Sequence, residues 1–165
     1  MSMDLSLNIR GQYPPGDDMS ARLEELFEQV RLAERLGFKA VTKSQHYSST
    51  PFQEIQQIPF LARAAAEVAE MKLITSITLL PLQKPLDMAE QLSALDLISG
   101  GNVIFGVGLG YREVEFKAFG MTGKERVKRF EENLAAIKRL WTEDKVTMAG
   151  SHFELIEATC SLRPQ

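Results

Sequence analysis

Two kinds of apolar spacing alternate along the chain. Short apolar or alternating runs, typical of strands, occupy residues 4–9, 38–42, 73–80 and 103–107. Each run is followed by a stretch with apolar residues at helical spacing, at residues 23–36, about 59–71, 85–99 and 127–141. Two further alternating runs surround the glycine turn within residues 145–155 and predict a β-hairpin.

The repeated order of strand and helix determines the expected fold class. It predicts an α/β fold with a parallel sheet and right-handed crossover connections. No linker or low-complexity tract interrupts the pattern, so we interpret residues 1–165 as a single domain or part of one. A complete (β/α)8 barrel needs eight strands and about 250 residues. The pattern supplies four strands and the hairpin.

Composition removes several classes of partner from consideration. A net charge of −3 with scattered basic residues gives no electrostatic reason to expect nucleic acid or an anionic membrane. The single Cys160 forbids an intrachain disulfide and fits a reducing compartment. Residues 1–10 lack the pattern of a signal peptide, and no apolar run approaches the ~20 residues that span a bilayer. We therefore expect a soluble, cytoplasmic protein.

Candidate chemistry is expected where the parallel strands end, because ligands of such sheets bind at the carboxyl ends of the strands. The corresponding segments are residues 8–10, 45–47, 76–81 and 108–112. His46 follows the second strand in a polar loop, where it suits a general base or a hydrogen-bond donor. The alternative is an ordinary surface histidine. His152, at the hairpin turn, is interpreted as structural or solvent-exposed.

Two glycine-containing segments resemble phosphate-binding motifs without matching them. Residues 106–110 read GVGLG after the fourth strand, which is neither the spacing nor the place of a dinucleotide-binding turn. These glycines either let a flat ligand approach the backbone or form a tight turn. Residues 120–125 lack the spacing of a P-loop and are interpreted as the entry to the fourth helix. Two distant histidines and one cysteine do not predict a metal site.

A set of motifs, in order and spacing, resembles the luciferase-like monooxygenase superfamily over nearly the whole chain. They are QHY at 45–47, TLLPL at 78–82, SGGN at 99–102, FGVGLGY at 105–111, EF at 115–116, AFG at 118–120, RFEE at 129–132 and LW at 140–141. The resemblance implies a TIM-type (β/α)8 barrel of which this chain is the N-terminal half. It also implies a flavoprotein oxidoreductase that binds FMN, or in some branches the deazaflavin F420.

The same resemblance assigns roles to particular residues. His46 matches a catalytic or flavin-adjacent position. The Ser76–Ile77 bond matches a non-proline cis peptide behind the flavin ring, and Thr78, Leu109 and Tyr111 match positions that line it. Some members carry an arginine for the flavin phosphate where this chain has Leu109, and the remaining phosphate contacts of the family come largely from the second half of the barrel.

Three functions follow from these expectations. The first is a monooxygenase that uses reduced flavin and O2 on a small organic substrate, with a flavin reductase as a possible partner. The second is a non-catalytic half-barrel that self-associates, because open sheet edges and an uncovered inner face favour a homo-oligomer. The third is a different barrel enzyme such as a lyase, the least favoured because the strand ends lack a carboxylate–lysine constellation.

Overall fold

The computed structural model describes residues 3–165. Its strands are β1 (Ser6–Ile9), β2 (Gln12–Tyr13), β3 (Ala40–Lys43), β4 (Gln53–Glu54), β5 (Lys72–Thr75), β6 (Thr78–Leu79), β7 (Val103–Ile104), β8 (Val107–Gly108), β9 (Val146–Ala149) and β10 (Glu154–Ala158). The α-helices are α1 (Met19–Arg35), α2 (Gln57–Ala64), α3 (Pro85–Ile98), α4 (Glu113–Ala118) and α5 (Arg126–Thr142). Short 3-10 helices cover Leu80–Leu82 and Gly123–Glu125.

The central sheet has four parallel strands in the order β1-β3-β5-β7. This is the α/β architecture expected from the sequence. Within residues 3–165 the sheet does not close on itself, so β1 and β7 form its two edges. The carboxyl ends of the strands meet along one rim, as in other parallel sheets.

The third and fourth strands expected from the sequence are shorter than predicted because each is interrupted by an irregular segment. The run at 73–80 divides into β5 and β6 around a cis peptide between Ser76 and Ile77. The run at 103–107 divides into β7 and β8, and the second halves form their own pair, β6 with β8. Apolar content alone predicts a continuous strand and carries no signal for such a bend.

Helices cover one face of the sheet. Every second strand residue, such as Val41, Leu73 and Val103, packs against α1 and α2 in the main core. Within that core Phe27 and Phe60 stack with ring centroids 5.0 Å apart. A second core joins α3, α5 and the hairpin, which pairs β9 with β10 as expected.

The other face of the sheet is more open. Register places Asn8, Thr42, Ile74 and Ile104 side by side on this face, which we call the inner face. The Thr42 hydroxyl donates to Asn8 Oδ1 over 2.9 Å, while 46% of Ile104 is exposed. No helix among residues 3–165 combines the length and apolar character needed to span a membrane.

Candidate functional site

A cleft of about 210 Å³ opens at the carboxyl-end rim, beside the loop that follows β3. Loops from three strand ends form its walls. Its lining residues are Arg10, Gln12, His46, Ser49, Phe52, Tyr111 and Arg112. Two aromatic side chains therefore face a cleft that also contains an imidazole and two guanidinium groups.

His46 is held on one side of its ring and open on the other. Its Nδ1 lies 2.9 Å from Oε1 of Glu115, and its backbone carbonyl accepts a hydrogen bond from Gln56 over 2.9 Å. The Tyr111 ring stands edge-on to the imidazole at 6.4 Å between centroids. The fold thus brings together two of the residues that the sequence singled out.

Glu115 is the residue that organises this side of the cleft. Only 1% of its side chain is exposed, and it lies on α4, a helix that the sequence pattern did not predict. Its Oε1 also accepts the Tyr47 backbone N–H over 3.0 Å and Arg112 Nη1 over 3.1 Å. Since Arg112 also donates to the carbonyls of Tyr47 and Ser48, the loop after β3 is attached to the start of α4.

The Tyr47 side chain points away from the cleft, towards the side-chain amides of Gln45 and Gln83. Its phenol oxygen accepts hydrogen bonds from Gln45 over 3.0 Å and from Gln83 over 3.3 Å. Burial raises the pKa of the Tyr47 phenol above its usual range, and the charge of Glu115 raises it further. Gln45 accepts the Leu79 N–H over 2.8 Å. Tyr47 and Gln45 therefore support the loop that carries His46.

The expectation of a cis peptide at Ser76–Ile77 is confirmed. The neighbouring glycines are explained by packing against this segment. A Cβ added at Gly106 would lie 2.2 Å from the Thr75 carbonyl oxygen, and one at Gly108 would lie 1.9 Å from Ile77 Cδ1. The close approach for which these glycines are needed is therefore made by the β5–β6 segment.

The residues expected to line a cofactor ring differ in exposure. Ile77 is 39% exposed, Leu109 36% and Tyr111 76%, so their side chains form an accessible apolar rim with Ser76 exposed beside them. Thr78 is fully buried, and its hydroxyl donates to Gln57 over 2.8 Å. The structure therefore places the Thr78 side chain in the layer beneath this rim.

His152 belongs to the hairpin and lies outside the cleft. Only 7% of its side chain is exposed, so the structural interpretation is confirmed and solvent exposure is not. Burial, with the charges of Arg129 and Lys84, lowers the pKa of His152 below its usual value. A neutral imidazole edge-on to Phe153 at 5.2 Å fits this environment.

Sequence reasoning missed the buried charges in and near the site. Lys43 is the last residue of β3, beneath the cleft, and Glu115 lies in the first turn of α4. Neither lies in an apolar pattern that would predict burial. Arg112 and Glu115 are three positions apart, which is the spacing of neighbours on a helix, but a six-residue helix has too few positions to reveal its period. The only feature of the sequence that pointed to Glu115 was the EF pair at 115–116 among the family motifs.

A family model described as luciferase-like monooxygenase matches residues 3–165. The chain belongs to the luciferase-like monooxygenase family. One relative is an F420-dependent glucose-6-phosphate dehydrogenase from Beutenbergia cavernae, 32% identical over 146 residues that cover 85% of this chain and 44% of the relative.

Two solved structures share the fold of this chain. A monooxygenase from Streptomyces bottropensis is 30% identical with a TM-score of 0.85, over 98% of this chain and 50% of that one. The oxygenating constituent of 3,6-diketocamphane monooxygenase from Pseudomonas putida, solved with FMN, has a TM-score of 0.83 at 20% identity. This match covers 100% of this chain and 44% of that one. The chain spans about half the length of these similar proteins or slightly less.

Proposed function

We propose that this chain contributes the catalytic rim of a flavin-dependent oxidoreductase. The proposed reaction is a monooxygenation in which reduced FMN and O2 oxidise a small organic substrate, with F420 as the alternative cofactor. A flavin reductase would supply reduced FMN. The observation that carries the proposal is His46, anchored through Nδ1 to the buried Glu115 and open to a cleft with Tyr111. Membership of the luciferase-like family supports the reaction class.

The chemistry of the rim fits the ring of a flavin or a deazaflavin. Such a ring is flat and presents aromatic faces, and the accessible side chains of Ile77, Leu109 and Tyr111 offer apolar contact to a face. The bound ring would supply the redox chemistry of the reaction. Ile77 and Leu109 would hold it in place and exclude water from one of its faces.

The residues of the cleft would bind and orient the substrate. Phe52 is 51% exposed and, with Tyr111, offers aromatic contact to an apolar portion. Arg10 offers hydrogen-bond donors to a polar group at the end of β1. His46 would hold or move a proton at the ring nitrogen that Glu115 leaves open.

The test is a titration of the 165-residue chain with FMN and, separately, with F420, followed by cofactor fluorescence. We expect a saturable change with one of them, and weaker binding in Tyr111→Ala, which removes an aromatic contact from the rim. The matched control is Ile156→Ala on the hairpin, where a side chain of similar exposure lies away from the cleft. No response to either cofactor would contradict the proposal.

A second candidate function is a non-catalytic half-barrel that associates with a second copy. The observation that favours it is the open inner face with 46% of Ile104 exposed, together with the unpaired edges β1 and β7. The same titration separates the two candidates, because association without a cofactor response would support the second.

A further inference from the structure

Three nitrogen atoms lie within hydrogen-bond distance of one oxygen of a buried carboxylate. Glu115 Oε1 accepts from Arg112 and from the Tyr47 backbone, and it lies 2.9 Å from His46 Nδ1. Arg112 and a backbone amide can only donate, so this oxygen acts as an acceptor. A hydrogen bond between it and the imidazole therefore requires the proton to be on Nδ1.

We propose that Glu115 is a positioning residue that holds His46 in the tautomer with hydrogen on Nδ1 and presents Nε2 to the cleft. A neutral imidazole carries one N–H, and the hydrogen bond of one nitrogen decides the state of the other. With Nδ1 donating to Glu115, Nε2 keeps a free lone pair. The inference rests on the proposed function only for what Nε2 does there, because the tautomer exists without cofactor or substrate.

The charge balance around Glu115 permits a neutral His46. Arg112 already pairs with the carboxylate over 3.1 Å, and its side chain also donates to two backbone carbonyls. The buried negative charge therefore has a permanent cationic partner, and a second cation is not needed to compensate it. This distinguishes the arrangement from a simple histidine–carboxylate ion pair.

Solvent reaches the opposite nitrogen. Within residues 3–165, Nε2 of His46 has no hydrogen-bond partner and is absent from the buried polar atoms that lack one. The imidazole contributes to the wall of the 210 Å³ cleft. A free lone pair at this place can accept a proton from a bound molecule, and the protonated ring can return it.

The experiment is nitrogen-15 NMR of the labelled 165-residue chain, using long-range correlations that distinguish protonated from bare ring nitrogens. The chain has two histidines, so His46→Ala assigns both rings. We expect a protonated Nδ1 and a bare Nε2 for neutral His46. Glu115→Ala should remove this preference and shift the pattern towards Nε2–H. Glu115→Gln should retain it, because an amide oxygen facing three donors replaces the carboxylate oxygen.

The matched control is Glu113→Ala on the same helix, where an exposed carboxylate lies two residues away. It should leave the His46 pattern unchanged, and His152 should serve as an internal reference in every variant. Nε2–H in the unmodified chain would overturn the proposal even if Glu115→Ala failed to fold. An unchanged pattern in a folded Glu115→Ala would overturn it as well. Both results are independent of whether FMN or F420 binds.

Discussion

Lys43 is a fully buried cation at the carboxyl end of β3, outside the cleft. Its Nζ donates to the carbonyls of Arg10 over 2.9 Å and Ser44 over 3.1 Å, and it lies 3.9 Å from Oε1 of Glu54. Within the described part of the chain, that oxygen has no hydrogen-bond partner. Burial lowers the pKa of Lys43 below its usual value, and the charge of Glu54 opposes the shift. The ammonium therefore ties the ends of β1 and β3 together at a cost in desolvation.

Replacing Lys43 by Met should lower the free energy of unfolding by about 2 kcal/mol near neutral pH, because the partly buried carbonyls of Arg10 and Ser44 lose their donor. The difference should depend on pH. The pKa of Lys43 is lower in the folded chain than in the unfolded chain. Between these two pKa values the unfolded chain therefore binds more protons than the folded chain. The contribution of Lys43 to the free energy of unfolding consequently rises with pH in this range. The Met variant lacks that rise, so its deficit should grow as the pH approaches 10.5.

Urea unfolding at neutral pH and at about pH 10 measures this difference. Lys39→Met is the matched control, because Lys39 precedes the same strand and is exposed. It should change the free energy of unfolding little at either pH. A Lys43→Met variant as stable as the unmodified chain, or a deficit independent of pH, would contradict the interpretation of a desolvated ammonium.

The sequence predicted the secondary-structure elements of the fold better than the contacts that form the rim of the site. Strand and helix order follow from apolar spacing, and the sheet and hairpin are confirmed. The bend at Ser76–Ile77 was predicted only from the family motifs. The apolar pattern could not predict it, because β-branched residues continue through the bend without a change of period. The burial of Glu115 depends on Arg112 and on a loop about seventy residues earlier in the chain, contacts that no local pattern encodes.

The two glycines beside this bend should differ in their tolerance of a side chain. At Gly106 the added Cβ would meet a backbone oxygen, which cannot move without shifting β5. At Gly108 it would meet the tip of the Ile77 side chain, which can rotate away. We expect Gly106→Ala to lower the free energy of unfolding by about 3 kcal/mol and Gly108→Ala by about 1 kcal/mol.

Urea unfolding of the two variants compares these costs, and each serves as the control for the other. Gly108→Ala should also weaken cofactor binding in the fluorescence titration, because Ile77 belongs to the exposed rim. Equal losses of stability would mean that Ile77 is as rigid as the backbone. A greater loss for Gly108→Ala would contradict the packing argument.

For the whole molecule, the open sheet leads us to propose that the chain forms a homo-oligomer. Among residues 3–165 the edges β1 and β7 present unpaired backbone groups, and the inner face exposes Ile104 beside Ile74. Pairing at an edge and burial of this face would each be favourable in water. We expect light scattering of the 165-residue chain at micromolar concentration to give a mass above that of a monomer.

Ile104→Lys should shift this equilibrium towards the monomer. Burial of an isoleucine contributes about 2 kcal/mol, so the midpoint concentration should rise on the order of tenfold or more. Ile156→Lys is the matched control: Ile156 is 72% exposed on the hairpin, away from the inner face. If both variants shift the equilibrium equally, the association does not use the inner face. A monomeric unmodified chain would instead mean that water covers the inner face and edges, and the half-barrel alternative would lose its support.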